Sequence, residues 1–153
     1  MRKIKKIPIT REGYEKLKKE YEELKRSRPE AVKTLSEARN MGDLSENGLY
    51  AAAKARLRSI DSQMFRLLIQ IKLADIVQTT NKESIGIGSK FEVGDGKTNK
   101  IMHLVGDFEA NPLEGKISRK SPIGRALLGK KINDRIEFEA PKGKLSYTIL
   151  RIF

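Results

Sequence analysis

Apolar side chains in the first half of the chain recur every three or four residues, as Tyr14, Leu17, Tyr21 and Leu24, then as Ala31, Leu35 and Ala38. That spacing is one face of an α-helix and the seam of a coiled coil. Arg28 occupies the seam position between the two groups, a single charged lapse. Thr10 before the pattern suits an N-cap, with Ile9 and Tyr14 placed as a hydrophobic staple. Pro29 lacks the amide that a helix interior uses, so a bend is expected near Arg28-Pro29, with the helix resuming to about Asn40. A second run, Tyr50, Ala53, Leu57, Ile60, Met64, Leu67, Ile71 and Ala74, alternates by three and four without a break. It predicts a helix from near Glu46 to the segment 74–77. Two seams of similar length around one short polar stretch predict an antiparallel coiled-coil hairpin over residues 1–77, with its tip at 42–48. At about 1.5 Å per residue, such a hairpin reaches roughly 40 Å from base to tip.

The pattern then changes. Residues 78–84 are polar and aperiodic and read as a linker. Short strand-like runs follow over 85–153: Lys90–Val93, Lys100–Val105, Gly115–Ser118, Arg135–Glu139 and Leu145–Ile152. Gly94-Asp95-Gly96 marks a turn, and Pro141-Lys142-Gly143-Lys144 marks a hairpin loop. Ser121-Pro122 has the form of a helix start, with Ile123, Ala126 and Leu127 apolar behind it and Gly129 at its end. The expected fold class is α+β: an antiparallel helical hairpin followed by a small antiparallel β-sheet domain with one short helix.

Charge narrows the partners. The chain of 153 residues carries a formal net charge of +12, spread as +7 over residues 1–79 and +5 over the remainder. Such a surplus favours an anionic partner, nucleic acid or something that carries it. Its even spread argues against a dedicated basic arm. Cysteine is absent, which excludes disulfides, thiol catalysis and cysteine-based zinc sites. His103 is the sole histidine, sits in a strand pattern and reads as structural. No run is long and apolar enough to span a membrane, and the basic opening residues lack the apolar core of a signal peptide. A cytoplasmic protein is expected.

Against this basic background, Asp43 and Glu46 place two carboxylates at the expected tip. Asp43-x-x-Glu46 has the form of a capping box, in which Asp43 caps the second helix and Glu46 reaches back to it. The same pair suits a hard cation such as Mg²⁺, which often binds through one or two carboxylates plus water and phosphate. Two carboxylates are too few for a tight site, but brought into another protein's metal-dependent active site they can hold a metal and its water. Arg39, Lys54, Arg56 and Arg58 lie within a few turns of the tip and are candidates to contact an RNA backbone.

Gly42-Asp43-Leu44-Ser45-Glu46-Asn47, followed by Tyr50 and Ala52-Ala53-Lys54, resembles the tip motif of the bacterial Gre transcript-cleavage factors. The resemblance extends to Thr10-Arg11-Glu12-Gly13-Tyr14-Glu15-Lys16-Leu17, to Arg28-Pro29-Glu30 and to Ser121-Pro122-Ile123-Gly124-Arg125-Ala126-Leu127-Leu128-Gly129, in the family's order. It implies an elongation factor whose coiled coil enters the secondary channel of RNA polymerase when the nascent RNA 3′ end has been extruded by backtracking. Asp43 and Glu46 would then share an Mg²⁺ with the polymerase active site, with Ser45 and Asn47 assisting, and the polymerase would hydrolyse its own transcript. On this reading the free chain is a monomer, not itself an enzyme, holds no tight metal, and ends in an FKBP-like domain that docks on the polymerase. The family tip usually continues Asn-Ala-Glu-Tyr, whereas this chain has Asn47-Gly48-Leu49-Tyr50 and so lacks one acid there. Three rival functions are a channel-occupying inhibitor on the same scaffold, a prolyl isomerase in the C-terminal half, and a nucleic-acid arm on the basic hairpin.

Overall fold

The computed structural model of the chain describes residues 6–42, 47–78 and 81–153. In chain order they form β1 (Ile7–Ile9), α1 (Arg11–Arg39), α2 (Gly48–Leu73), β2 (Ala74–Ile76), β3 (Lys90–Gly94), β4 (Asn99–Val105), β5 (Lys116–Ser118), α3 (Pro122–Leu127), β6 (Arg135–Ala140) and β7 (Gly143–Ile152). The fold class is α+β. Two compact units result, Glu15–Lys72 and the union of Met1–Tyr14 with Leu73–Phe153. The segments of β1 and β2, which the heptad pattern places in the hairpin, thus gather with the sheet.

In the helical unit the seams are where the periodicity puts them. Every apolar seam position from Leu17 to Ala38 and from Tyr50 to Ile71 is buried or half-buried, while most positions between them are exposed. Ala31, Ala38, Ala53 and Ile60 are the most enclosed beside Leu17. Small side chains toward the turn let the helices approach closely; midway, Leu24, Leu67, Ser27 and Gln63 line an open groove of about 600 Å³. The charged lapse becomes a cross-link. Arg28 Nε donates to Asp61 Oδ1 at 2.7 Å, joining α1 to α2. The Asp61 hydrogen bond and its charge hold the Arg28 guanidinium above its already high ordinary value. The pair is exposed, so its value lies in fixing register rather than stability.

At Pro29 helix α1 continues rather than stopping and resuming. Proline removes the hydrogen bond to the carbonyl four residues back, that of Lys25, and Lys25 faces solvent, where water can replace the lost donor. Helix α2 also stops one residue before Ala74, because Ala74–Ile76 pairs in parallel with Ile7–Ile9. Val77 N continues the ladder to Ile9 O at 2.9 Å.

The main sheet has the order β5-β4-β3-β7-β6. It is mixed rather than wholly antiparallel, since β5 runs parallel to β4 while the other three pairs are antiparallel. The return over residues 106–115, through a 3-10 turn at Pro112–Glu114, provides the crossover a parallel pair needs. Strand alternation puts Phe91 and Val93 of β3, Leu104 of β4, Ile136 of β6 and Tyr147 and Ile149 of β7 into one core. Leu127 of α3 and Ile85 close it. Ile85 exchanges hydrogen bonds with the segment after α3, donating to Lys130 O and accepting from Gly129 N, both at 2.8 Å. Ile85, directly after the expected linker, is thus tied into the sheet unit.

Candidate functional site

Helix α1 ends at Arg39 and α2 starts at Gly48, so the expected tip is the connection between them. Asp43, Leu44, Ser45 and Glu46 lie outside the described residues. Their immediate frame is described. Asn47 Oδ1 accepts from Leu49 N at 3.0 Å and from Tyr50 N at 3.2 Å, the geometry of a helix N-cap. Asn47 Nδ2 donates to Ala38 O at 2.8 Å, satisfying a carbonyl at the end of α1. One side chain thus caps both helices across the turn. Asn47 thus stands at the N-cap of α2, and the capping box expected of Asp43 and Glu46 lies outside the described residues.

Asparagine directly before a helix is a legible cap; its bond to Ala38 is not, because the partner is nine positions back. Replacing Asn47 with alanine removes both, and a loss of about 1–2 kcal/mol is expected in urea unfolding followed by helix signal. Asn47→Asp keeps the cap acceptor but not the donor to Ala38 O and should recover about half.

The basic candidates do not converge. Lys54 and Arg58 are four residues apart on α2 and share a side, whereas Arg56, two residues from each, projects from another. Arg39 closes α1. All four are exposed. Lys54 Nζ lies 5.8 Å from the centre of the Tyr50 ring, a cation–π contact that steadies it beside the cap. Among the described residues, no ion pair involves Arg39, Arg56 or Arg58. Met41 and Leu49, 71% and 65% exposed, flank the turn on its two sides. Leu49 is the residue at which the sequence departs from the family tip; Met41 reads in the sequence as one more apolar residue beside a seam.

In the sheet unit His103 is half-buried and its Nε2 donates to Gly88 O at 3.1 Å, a structural contact. Of the aromatic residues that a prolyl isomerase pocket would need, Phe91, Phe138 and Tyr147 are used as packing. Phe91 is fully buried, and Phe138 stacks on Tyr147 with centroids 5.7 Å apart. Among the described residues no group of three or more His, Asp or Glu gathers to hold a metal, and no helix is long and apolar enough to cross a membrane.

Residues 7–76 match the family described as transcription elongation factor, N-terminal, and residues 79–153 match that described as transcription elongation factor, GreA/GreB, C-terminal. The chain belongs to the GreA/GreB family. It is 40% identical to transcription elongation factor GreA of Thermodesulfovibrio yellowstonii, over 95% of this chain and 96% of that one. It is 41% identical to GreA of Solidesulfovibrio magneticus (95% and 92%) and 38% identical to GreA of Lactococcus lactis (95% and 97%). Among solved structures it is similar to GreA factor homolog 1 of Thermus thermophilus, at 31% identity and a TM-score of 0.47, covering 97% of this chain and 99% of that one. As a member of the GreA/GreB family the chain is a transcription elongation factor, and its two family segments meet at residues 76–79, where the helical pattern gives way to the sheet.

Proposed function

We propose that the protein acts on bacterial RNA polymerase by presenting Asp43 and Glu46, on the turn of its helical hairpin, to the polymerase active site, so that the polymerase cleaves its own backtracked RNA. The observation that carries this reading is the GreA/GreB match over both segments, together with a hairpin whose turn bears that acidic pair in a strongly basic chain. Carboxylates are hard oxygen donors, the ligand type Mg²⁺ takes. When bound, the ion supplies a polarised water for attack on the phosphodiester and stabilises the charge that develops there. The two carboxylates hold their side of this shared site, and Asn47 keeps the ends of α1 and α2 together. Ser45 and Asn47 assist. Arg39, Lys54 and Arg58, with Arg56 from another side, attract the RNA phosphates. Met41 and Leu49 offer apolar contact to the walls of a channel. The sheet unit docks on the polymerase surface, and the factor works in the cytoplasm as a monomer with no catalysis of its own.

The test uses stalled, backtracked elongation complexes with Mg²⁺. Adding the protein should shorten the RNA from its 3′ end, and the protein with free RNA should release nothing. Binding without cleavage would overturn this reading in favour of a channel-occupying inhibitor. Salt-sensitive binding to free RNA, with no effect on the complex, would point to a nucleic-acid arm instead.

A further inference from the structure

The loop after β4, Gly106-Asp107-Phe108-Glu109, sends two carboxylates to two different helices. Glu109 reaches the start of α1. Its Oε2 accepts from Thr10 N at 2.9 Å and from Gly106 N at 3.0 Å, and its Oε1 accepts from the Thr10 hydroxyl. Thr10 Oγ1 in turn accepts from Gly13 N at 3.0 Å, so the N-cap of α1 is itself held by a residue far along the chain. The approach is close on both sides. A Cβ on Gly106 would stand 2.2 Å from Pro8 O, and one on Gly13 would stand 2.1 Å from Glu109 Oε1.

Asp107 reaches the start of α3. Its Oδ1 accepts from Ser118 Oγ at 2.9 Å, and Lys120 Nζ lies 2.6 Å from its Oδ2 as an ion pair. Burial pushes this carboxyl up, but the Lys120 and Ser118 contacts, with the Arg119 charge, outweigh burial and hold it below the usual aspartate range. Ser118 Oγ also accepts from Lys120 N, and Ser118 O accepts from Ser121 Oγ at 2.7 Å. Ser121 Oγ then caps α3 by accepting from Gly124 N at 3.0 Å. The turn from 118 to 121 is thus held to the same loop that holds Thr10.

We propose that this loop is a two-sided clamp in which Glu109 positions the first turn of α1 and Asp107 positions α3, and that both are positioning residues for action on the polymerase. The proposal rests on the function proposed above. Helix α1 leads on in sequence to Asp43, and Glu109 governs how firmly the first turn of that helix is held. Helix α3 presents the exposed Pro122, Arg125 and Leu128, so Asp107 governs a surface fit for docking. The two carboxylates therefore affect different steps. Glu109→Ala lowers the maximal cleavage rate about tenfold, the scale of a lost charge-assisted hydrogen bond, and leaves the half-saturating factor concentration within about twofold. Asp107→Ala raises the half-saturating concentration about tenfold with the maximal rate unchanged. Glu109→Gln restores the rate, because one amide oxygen still accepts from Thr10 N and Gly106 N while the amide nitrogen donates to Thr10 Oγ1.

Amide hydrogen exchange supplies a readout independent of polymerase. In Glu109→Ala the Gly13 and Tyr14 amides should exchange about tenfold faster while Gly124 and Arg125 stay protected; Asp107→Ala should reverse this. Asp107→Asn, which keeps the Ser118 contact and loses only the Lys120 pair, guards against a misfolded alanine variant and should raise the half-saturating concentration by a smaller factor. If either alanine variant loosens both helix starts together, or both variants change the same kinetic parameter, the two-sided clamp is wrong. If wild type cleaves nothing, the function proposed above fails while the exchange experiment still decides the clamp.

Discussion

Asp43→Asn and Glu46→Gln each lower polymerase-assisted transcript cleavage roughly 10²- to 10³-fold, the scale of removing one group that stabilises charge in a transition state. Each substitution keeps size and hydrogen-bonding capacity and removes the negative charge, and a neutral amide is a far poorer partner for a divalent cation than a carboxylate. The structure sharpens the experiment. Asn47 holds the cap of α2 and the Ala38 carbonyl at the end of α1, and neither substitution removes these bonds. Helix content should then be unchanged and the unfolding free energy in urea should stay within about 0.5 kcal/mol of wild type, as for ordinary surface substitutions. Raising Mg²⁺ should partly restore cleavage in both variants if they weaken a shared metal. Full cleavage in either variant would remove that residue from the proposed site, and equal loss of helix content would return the pair to a structural role.

The largest expected effect on stability lies elsewhere. Phe91→Ala should destabilise the sheet unit by about 3–5 kcal/mol, the range for truncating a buried phenylalanine. Phe91 is 0% exposed and sits on β3, the middle strand, with Met102 opposite on β4 and Ile152 opposite on β7. Neighbours on both sides are hydrogen-bonded strands, so the space it leaves cannot collapse readily. A domain stable by about 5–15 kcal/mol loses a large fraction of that margin. Urea unfolding with amide exchange read at β3 and β7 measures the loss. A change under 1 kcal/mol would mean that the core is less closed around this ring than its burial indicates.

These two predictions differ in how they were legible. Phe91 belongs to an alternating strand whose apolar side could be read directly, and its burial follows from that pattern. Asp43 and Glu46 were legible as chemistry and by family resemblance, and their expected capping box lies outside the described residues. Capping depends on which residue stands directly before the first helical turn, and a helix start at Gly48 rather than near Glu46 puts Asn47 there. Pro29 is a poor helix residue, yet α1 continues through it, since a single lost bond on the wet face does not outweigh the two seam turns around it.

The sequence by itself determined the two seams, the strand alternation, the helix start at Ser121 and the tip carboxylates, because each is a local period or a contact among residues a few positions apart. Only the tertiary structure decided that Arg28 pairs with Asp61, that Ile7–Ile9 runs beside Ala74–Ile76, that β5 lies parallel to β4, and that Asp107 and Glu109 hold two helix starts from one loop. In each of these the partners lie far apart along the chain or depend on the path of an irregular loop, and no period in the sequence records them. A carboxylate in a loop has the same composition whether it faces water or caps a helix ninety-nine residues away, and folding alone distinguishes the two.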